Sequence, residues 1–73
     1  MQSTKKLLPK PGDQVWLYNG SQLYTVCQAV QRIPGNRFIL SSVDEDRFVG
    51  YDFTLTRLTN GMEVLEARSY HRA

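Results

Sequence analysis

Pro11-Gly12-Asp13-Gln14-Val15-Trp16-Leu17-Tyr18-Asn19-Gly20-Ser21-Gln22-Leu23-Tyr24 is the stretch that decides how this chain folds. A Gly-Asp turn pair gives way to apolar and aromatic residues in alternation, which is how a strand with two unlike faces is written. Asn19-Gly20 stands between two such runs, and both residues tolerate the positive φ that a tight hairpin turn demands. A two-residue loop there sets Trp16 opposite Leu23 and Val15 opposite Tyr24. Val15, Leu17 and Tyr24 then share one face, and Trp16 with Leu23 the other.

Outward from this hairpin the same grammar repeats. Leu23 to Arg32 is rich in strand formers and long enough to bend across two half-sheets. Ile33-Pro34-Gly35-Asn36 has the composition of a type II turn. Arg37 to Ser42 and Phe48 to Phe53 read as strands on either side of the charged turn Asp44-Glu45-Asp46, with Gly50 a candidate bulge. A hairpin at Asn60-Gly61 would set Arg57 against Val64 and Thr56 against Leu65, mixing charged and apolar side chains on both faces. The expectation is therefore a short helical turn at 54–58, a loop at 60–61 and a last strand at 62–67, with a helix over 62–70 the alternative.

These elements predict an all-β domain: a small five-stranded barrel or rolled antiparallel sheet over residues 11–67. Before it lies a flexible basic arm at 1–10, kept out of helix by Pro9 and Pro11, and after it a basic tail at 68–73. Seventy-three residues exclude a second domain, and 41% hydrophobic with 22% charged residues is the composition of a folding chain. The net charge of +2 hides a split: residues 1–12 and 68–73 hold five bases and no acid, whereas 13–67 hold four arginines against seven acids. A single cysteine, Cys27, excludes an internal disulfide framework and any zinc site of paired thiolates. The arm's only apolar pair, Leu7-Leu8, is too short for a signal-peptide core or a membrane span, so the expectation is a cytoplasmic protein that engages no membrane.

The opener Pro11-Gly12-Asp13-Gln14-Val15-Trp16, with the strand spacing over 11–67, resembles the start of small Src-homology-3-like (SH3-like) barrels, the group that includes Tudor, KOW and PWWP modules. The resemblance implies a long second strand, two hairpins, a 3₁₀ turn and a last strand returning beside the first. It also implies binding rather than catalysis. Type II dihydrofolate reductases share the length and the opener, but their active-site strand carries Val-Gln-x-Tyr where this chain has Val49-Gly50-Tyr51-Asp52.

No nucleophile stands near a base in the sequence: Cys27 lies mid-strand, and the only histidine, His71, lies three residues from the end. No catalytic residue, metal ligand or cofactor is assigned. The partner-binding candidates are Trp16, Tyr18, Tyr24, Phe48, Tyr51 and Asp52, whose rings fall on three strands and can offer an aromatic face with a countercharge. The expected function is a non-enzymatic interaction module that binds a protein partner, or a second copy, through strand edges and that face. The alternative is nucleic-acid binding by the terminal bases Lys5, Lys6, Lys10, Arg68 and Arg72, brought together if the ends converge and extended by Arg32 and Arg37.

Overall fold

The computed structural model describes Thr4–Ala73, with side chains from Leu7 onward, and shows six strands and no helix among these residues. They are β1 (Thr4–Lys6), β2 (Gln14–Asn19), β3 (Gln22–Ile33), β4 (Arg37–Ser42), β5 (Arg47–Arg57) and β6 (Glu63–Arg72). The sheet runs β1-β5-β4-β3-β2-β6, and a further pairing of β5 with β6 closes five of the strands into a ring. The chain is therefore an all-β small barrel. Every pairing is antiparallel except β2 with β6, which is parallel.

The core follows from the alternation. Val15 and Leu17 are fully buried, while Trp16 and Tyr18 point outward and are half-buried. Leu40 and Ala67 meet them from β4 and β6, and Phe38 packs edge-on against Phe53 with centroids 5.9 Å apart. Such an edge-to-face pair sets the positive rim of one ring on the negative face of the other.

The first hairpin departs from the simple count. Asn19 pairs with Gln22, so the loop is Gly20-Ser21, with Gly20 at φ 67°. Tyr18 then pairs with Leu23 but Leu17 with Thr25, leaving Tyr24 as an extra residue bulged out of β3. A second bulge leaves Val30 unpaired between Ala29 and Gln31. These two bulges give the twelve-residue β3 the curvature it needs to pair with β2 along one half and β4 along the other.

The last third corrects the sequence expectation. No helical turn forms at 54–58; residues 54–57 continue β5, Leu58 opens the loop, and the Asn60-Gly61 hairpin exists. Its register is one residue away from the pairing that argued against it. Arg57 faces Glu63 with an ion pair of 2.9 Å, Thr56 faces Val64, and Leu55 faces Leu65. Like now meets like. The final strand extends through the expected tail to Arg72, and the alternative helix is absent. Of the expected arm, 1–3 lie outside the described residues, while Thr4–Lys6 lies as β1 along β5.

Candidate functional site

The candidate residues separate into three places rather than one aromatic face. On the outside of β2, β6 and β5, Trp16 pairs with Glu66 and Glu66 with Thr54, so these three share a rung. One rung on, the Tyr51–Ser69 and Phe53–Ala67 pairs bracket Asp52 and Arg68, and the Arg68 guanidinium lies 4.6 Å from the Tyr18 ring centroid. Glu66 is the only charged residue buried among those described, and Arg68 reaches it at 3.3 Å while also donating to the Gly20 carbonyl. A carboxylate taken out of water needs such partners. Burial, then the charge and hydrogen bond of Glu66, raise the Tyr18 hydroxyl above its ordinary range, and Arg68 partly opposes them. A pocket of about 390 Å³ lies beside this cluster, between Asp52, Thr54, Thr56, Glu66 and Arg68.

At the barrel mouth, the bulge re-aims Tyr24 over the end of the core. Its ring stacks on Tyr70 at 6.1 Å and meets Phe48 edge-on at 6.1 Å, and Tyr70 meets Phe48 at 5.8 Å. Phe48 is core, 3% exposed, and Arg72 covers it while pairing with Asp46 at 3.3 Å. Tyr24 and Phe48 therefore close the barrel, with Tyr70 as their third member. Burial raises the Tyr70 hydroxyl first, and the neighbouring Tyr24 and Cys27 add to it.

Tyr51 and Asp52 mark the third place. Along one edge of β5, the β4 ladder ends at Tyr51 and β1 takes over, the Leu7 amide donating to the Phe53 carbonyl, so the neighbouring strand changes there. Asp52 turns this corner with φ at 62°, a left-handed conformation that aspartate tolerates better than most side chains. Beside this change of partner lies a groove of about 760 Å³, walled by Leu7 and Leu8, by Gly35 and Asn36 of the β3–β4 turn, and by Tyr51, Asp52 and Phe53. Leu7, Leu8 and Tyr51 remain 46%, 38% and 41% exposed. Sequence reasoning found Tyr51 and Asp52 but passed over the leucines; the signal was there, as the one apolar pair in an otherwise polar arm. It also passed over Glu66, which looks ordinary until the register sets it beside Trp16.

The basic candidates do not gather. Lys5 pairs with Leu55 and Arg72 with Phe48, seven residues apart on β5, or about 23 Å of strand at 3.3 Å per residue. The expected convergence of the ends is thus corrected by the register of the two strands. Arg68 and Arg72 are held as above, Arg32 donates to Asn36 at 3.2 Å and Arg37 to the Pro34 carbonyl at 2.8 Å. Lys10 is exposed, and the side chains of Lys5 and Lys6 lie outside the described residues. Cys27 is buried, its thiol pushed up to about 11 by burial and secondarily by Asp46. Among the described residues no three of His, Cys, Asp and Glu come together as metal ligands, and no helix is long and apolar enough to cross a membrane. No family model, no curated protein and no solved structure matches the chain.

Proposed function

We propose that this protein is a small β-barrel interaction module, without catalytic activity, that takes a segment of a protein partner into the groove between Leu7-Leu8 and Tyr51–Phe53. One observation carries the reading: three of the chain's exposed large apolar side chains, Leu7, Leu8 and Tyr51, wall a single groove of about 760 Å³. Single exposed apolar residues are ordinary on any surface, but a concave cluster of them loses free energy by staying wet. The Trp16 and Tyr24 clusters are engaged by Arg68 and Tyr70 from the same chain, which leaves the groove as the better docking surface.

Selection of a random peptide display library against the whole chain tests this. Enriched peptides are expected to share an apolar anchor, and to bind at least tenfold more weakly to Tyr51→Ala and Leu8→Asp. Val43→Asp, a change at an 87% exposed residue in the β4–β5 loop, leaves binding unchanged. Enriched peptides that bind Tyr51→Ala as well as the original chain, or no enrichment at all, overturn the reading.

A further inference from the structure

We infer that the partner segment is an extended, acidic strand with alternating apolar residues, which adds to the barrel along the free edge of β1. This rests on the groove being the docking site, and it comes from three observations that the groove alone does not supply.

The first is the edge itself. Among the described residues β1 pairs with β5 and with no other strand, so one side of it carries no ladder. Antiparallel ladders alternate between residues that bond across the pair and residues whose backbone groups point away. The Leu7 amide donates to the Phe53 carbonyl, which makes Leu7 a bonding position; Lys5, two residues back, is another, and Thr4 and Lys6 direct their N–H and C=O groups to the open side. Those groups are a template for an added strand.

The second is continuity. β4 and β1 both run antiparallel to β5 along the same edge, β4 facing 47–51 and β1 facing 54–56. A strand laid on the outer side of β1 occupies the row that β3 holds beside β4, and so runs past the β3–β4 turn at Gly35 and Asn36. It passes the mouth of the groove, where alternate side chains of an extended segment can enter among Leu7, Leu8 and Tyr51.

The third is charge. Lys5, Lys6 and Lys10 flank Leu7-Leu8, and no acid lies in the first twelve residues. Lysine on an edge commonly blunts pairing between like copies. Here it disfavours a second copy of the same basic arm, and selects a segment whose acidic side chains alternate with the apolar ones.

Three ten-residue peptides separate the elements of the proposal: one alternating Glu and Leu, one alternating Lys and Leu, and the Glu-Leu peptide N-methylated at every residue. In fluorescence anisotropy with the full chain at low salt, the Glu-Leu peptide is expected to bind. Its affinity falls about tenfold for the Lys5→Glu, Lys6→Glu double variant and at high salt, in keeping with a few exposed ion pairs. Arg47→Glu is the remote charge control. The fully N-methylated peptide, which has no N–H to donate on either edge, binds at least tenfold more weakly, and hydrogen exchange of the Lys6 amide slows when the Glu-Leu peptide is bound. Equal binding of the Lys-Leu peptide overturns the charge argument, and equal binding of the N-methylated peptide or an unchanged Lys6 amide overturns strand addition. If none of the three binds while display-selected peptides still depend on Tyr51, the acidic strand falls and the groove stands; if those fail too, both fall.

Discussion

The chain contains two Asn-Gly pairs, and neither is the two-residue turn that the dipeptide favours. At the first, Asn19 stays in β2 and pairs with Gln22, leaving Gly20-Ser21 as the loop with only Gly20 at positive φ. At the second, Asn60 and Gly61 sit inside a five-residue loop between Arg57 and Glu63. There the Asn60 side chain accepts the Met62 amide at 2.9 Å, and Leu58 and Met62 bond across the base of the loop at 2.7 Å. The same two residues thus serve as strand end and turn in one hairpin, and as an internal cap in the other. What sets the register in each is the face that must be buried: Val15 and Leu17 against Cys27 in the first, and Leu55 against Leu65 in the second. The turn residue permits the loop, and the core chooses its length.

If the core chooses, core substitutions should cost more than turn substitutions in both hairpins. Leu17→Ala removes a fully buried side chain from the first and is expected to lower stability by about 2–5 kcal/mol, measured by urea unfolding. Leu65→Ala, at 7% exposed, belongs toward the lower end of that range for the second. A loss under about 1 kcal/mol for Leu17→Ala, well below the range for a packed leucine, would break the comparison.

The next effect reads the first register directly. Without the Tyr24 bulge, alternation would put Cys27 on the outer face; with it, Cys27 pairs with Val15 in the core and is 3% exposed. Its thiol, raised from 9.0 to about 11, holds about a hundredfold less thiolate at pH 8 than an ordinary one. Iodoacetamide should therefore modify the folded chain at least that much more slowly than the unfolded chain. Burial raises the folded value, so the folded state holds this proton more tightly. The resulting stability is whole below about pH 9 and declines as the pH climbs toward 11, a trend that Cys27→Ala should flatten. Alkylation of native protein at the unfolded rate would place Cys27 outside.

The contrast between the hairpins also marks how far the sequence could be read. β4 was legible to the residue, since Arg37–Ser42 sits between a Pro-Gly turn and an acidic loop that leave one choice. The positions of β2 and β3 were legible too, but not their register, because a bulge adds one residue without leaving a compositional mark. The last strand was expected, but the hairpin joining β5 to β6 was misjudged for a related reason: counting from a two-residue turn at Asn60-Gly61 displaces every pair by one, so that a good hairpin looks like a poor one. Of the candidate site, Tyr51 and Asp52 could be found as an aromatic and an acid beside a glycine. That they face Leu7 and Leu8 depends on β1 lying against β5, a contact some fifty residues distant in sequence that local pattern does not encode.

At the turns themselves the expected effects are smaller and nearly equal. Gly20→Ala and Gly61→Ala place a side chain at φ 67° and 87° with nothing within 4 Å to clash, so each should cost the backbone strain alone, about 1–2 kcal/mol. Asn at either position should recover part of the loss, because its side chain tolerates the left-handed region. A loss at Gly20 far above that at Gly61 would mean that the shorter loop holds its register by the turn rather than by the core.

The smallest effect belongs to the pair that closes the second hairpin. Arg57 and Glu63 face each other at the last rung before the loop and meet at 2.9 Å, but both side chains are about half exposed, at 56% and 45%. In water at that exposure the Coulombic gain is largely offset by hydration and by the side-chain freedom given up, so the coupling is about 0.2–1 kcal/mol. A double-mutant cycle over Arg57→Ala and Glu63→Ala at low ionic strength should return a value in that range. Repeating the cycle in 1 M salt, where screening acts over about 3 Å, should bring it close to zero. A coupling that stayed above 1 kcal/mol in high salt would show that this rung, rather than Leu55 against Leu65, fixes the register of the second hairpin, and the two Asn-Gly loops would then differ in kind.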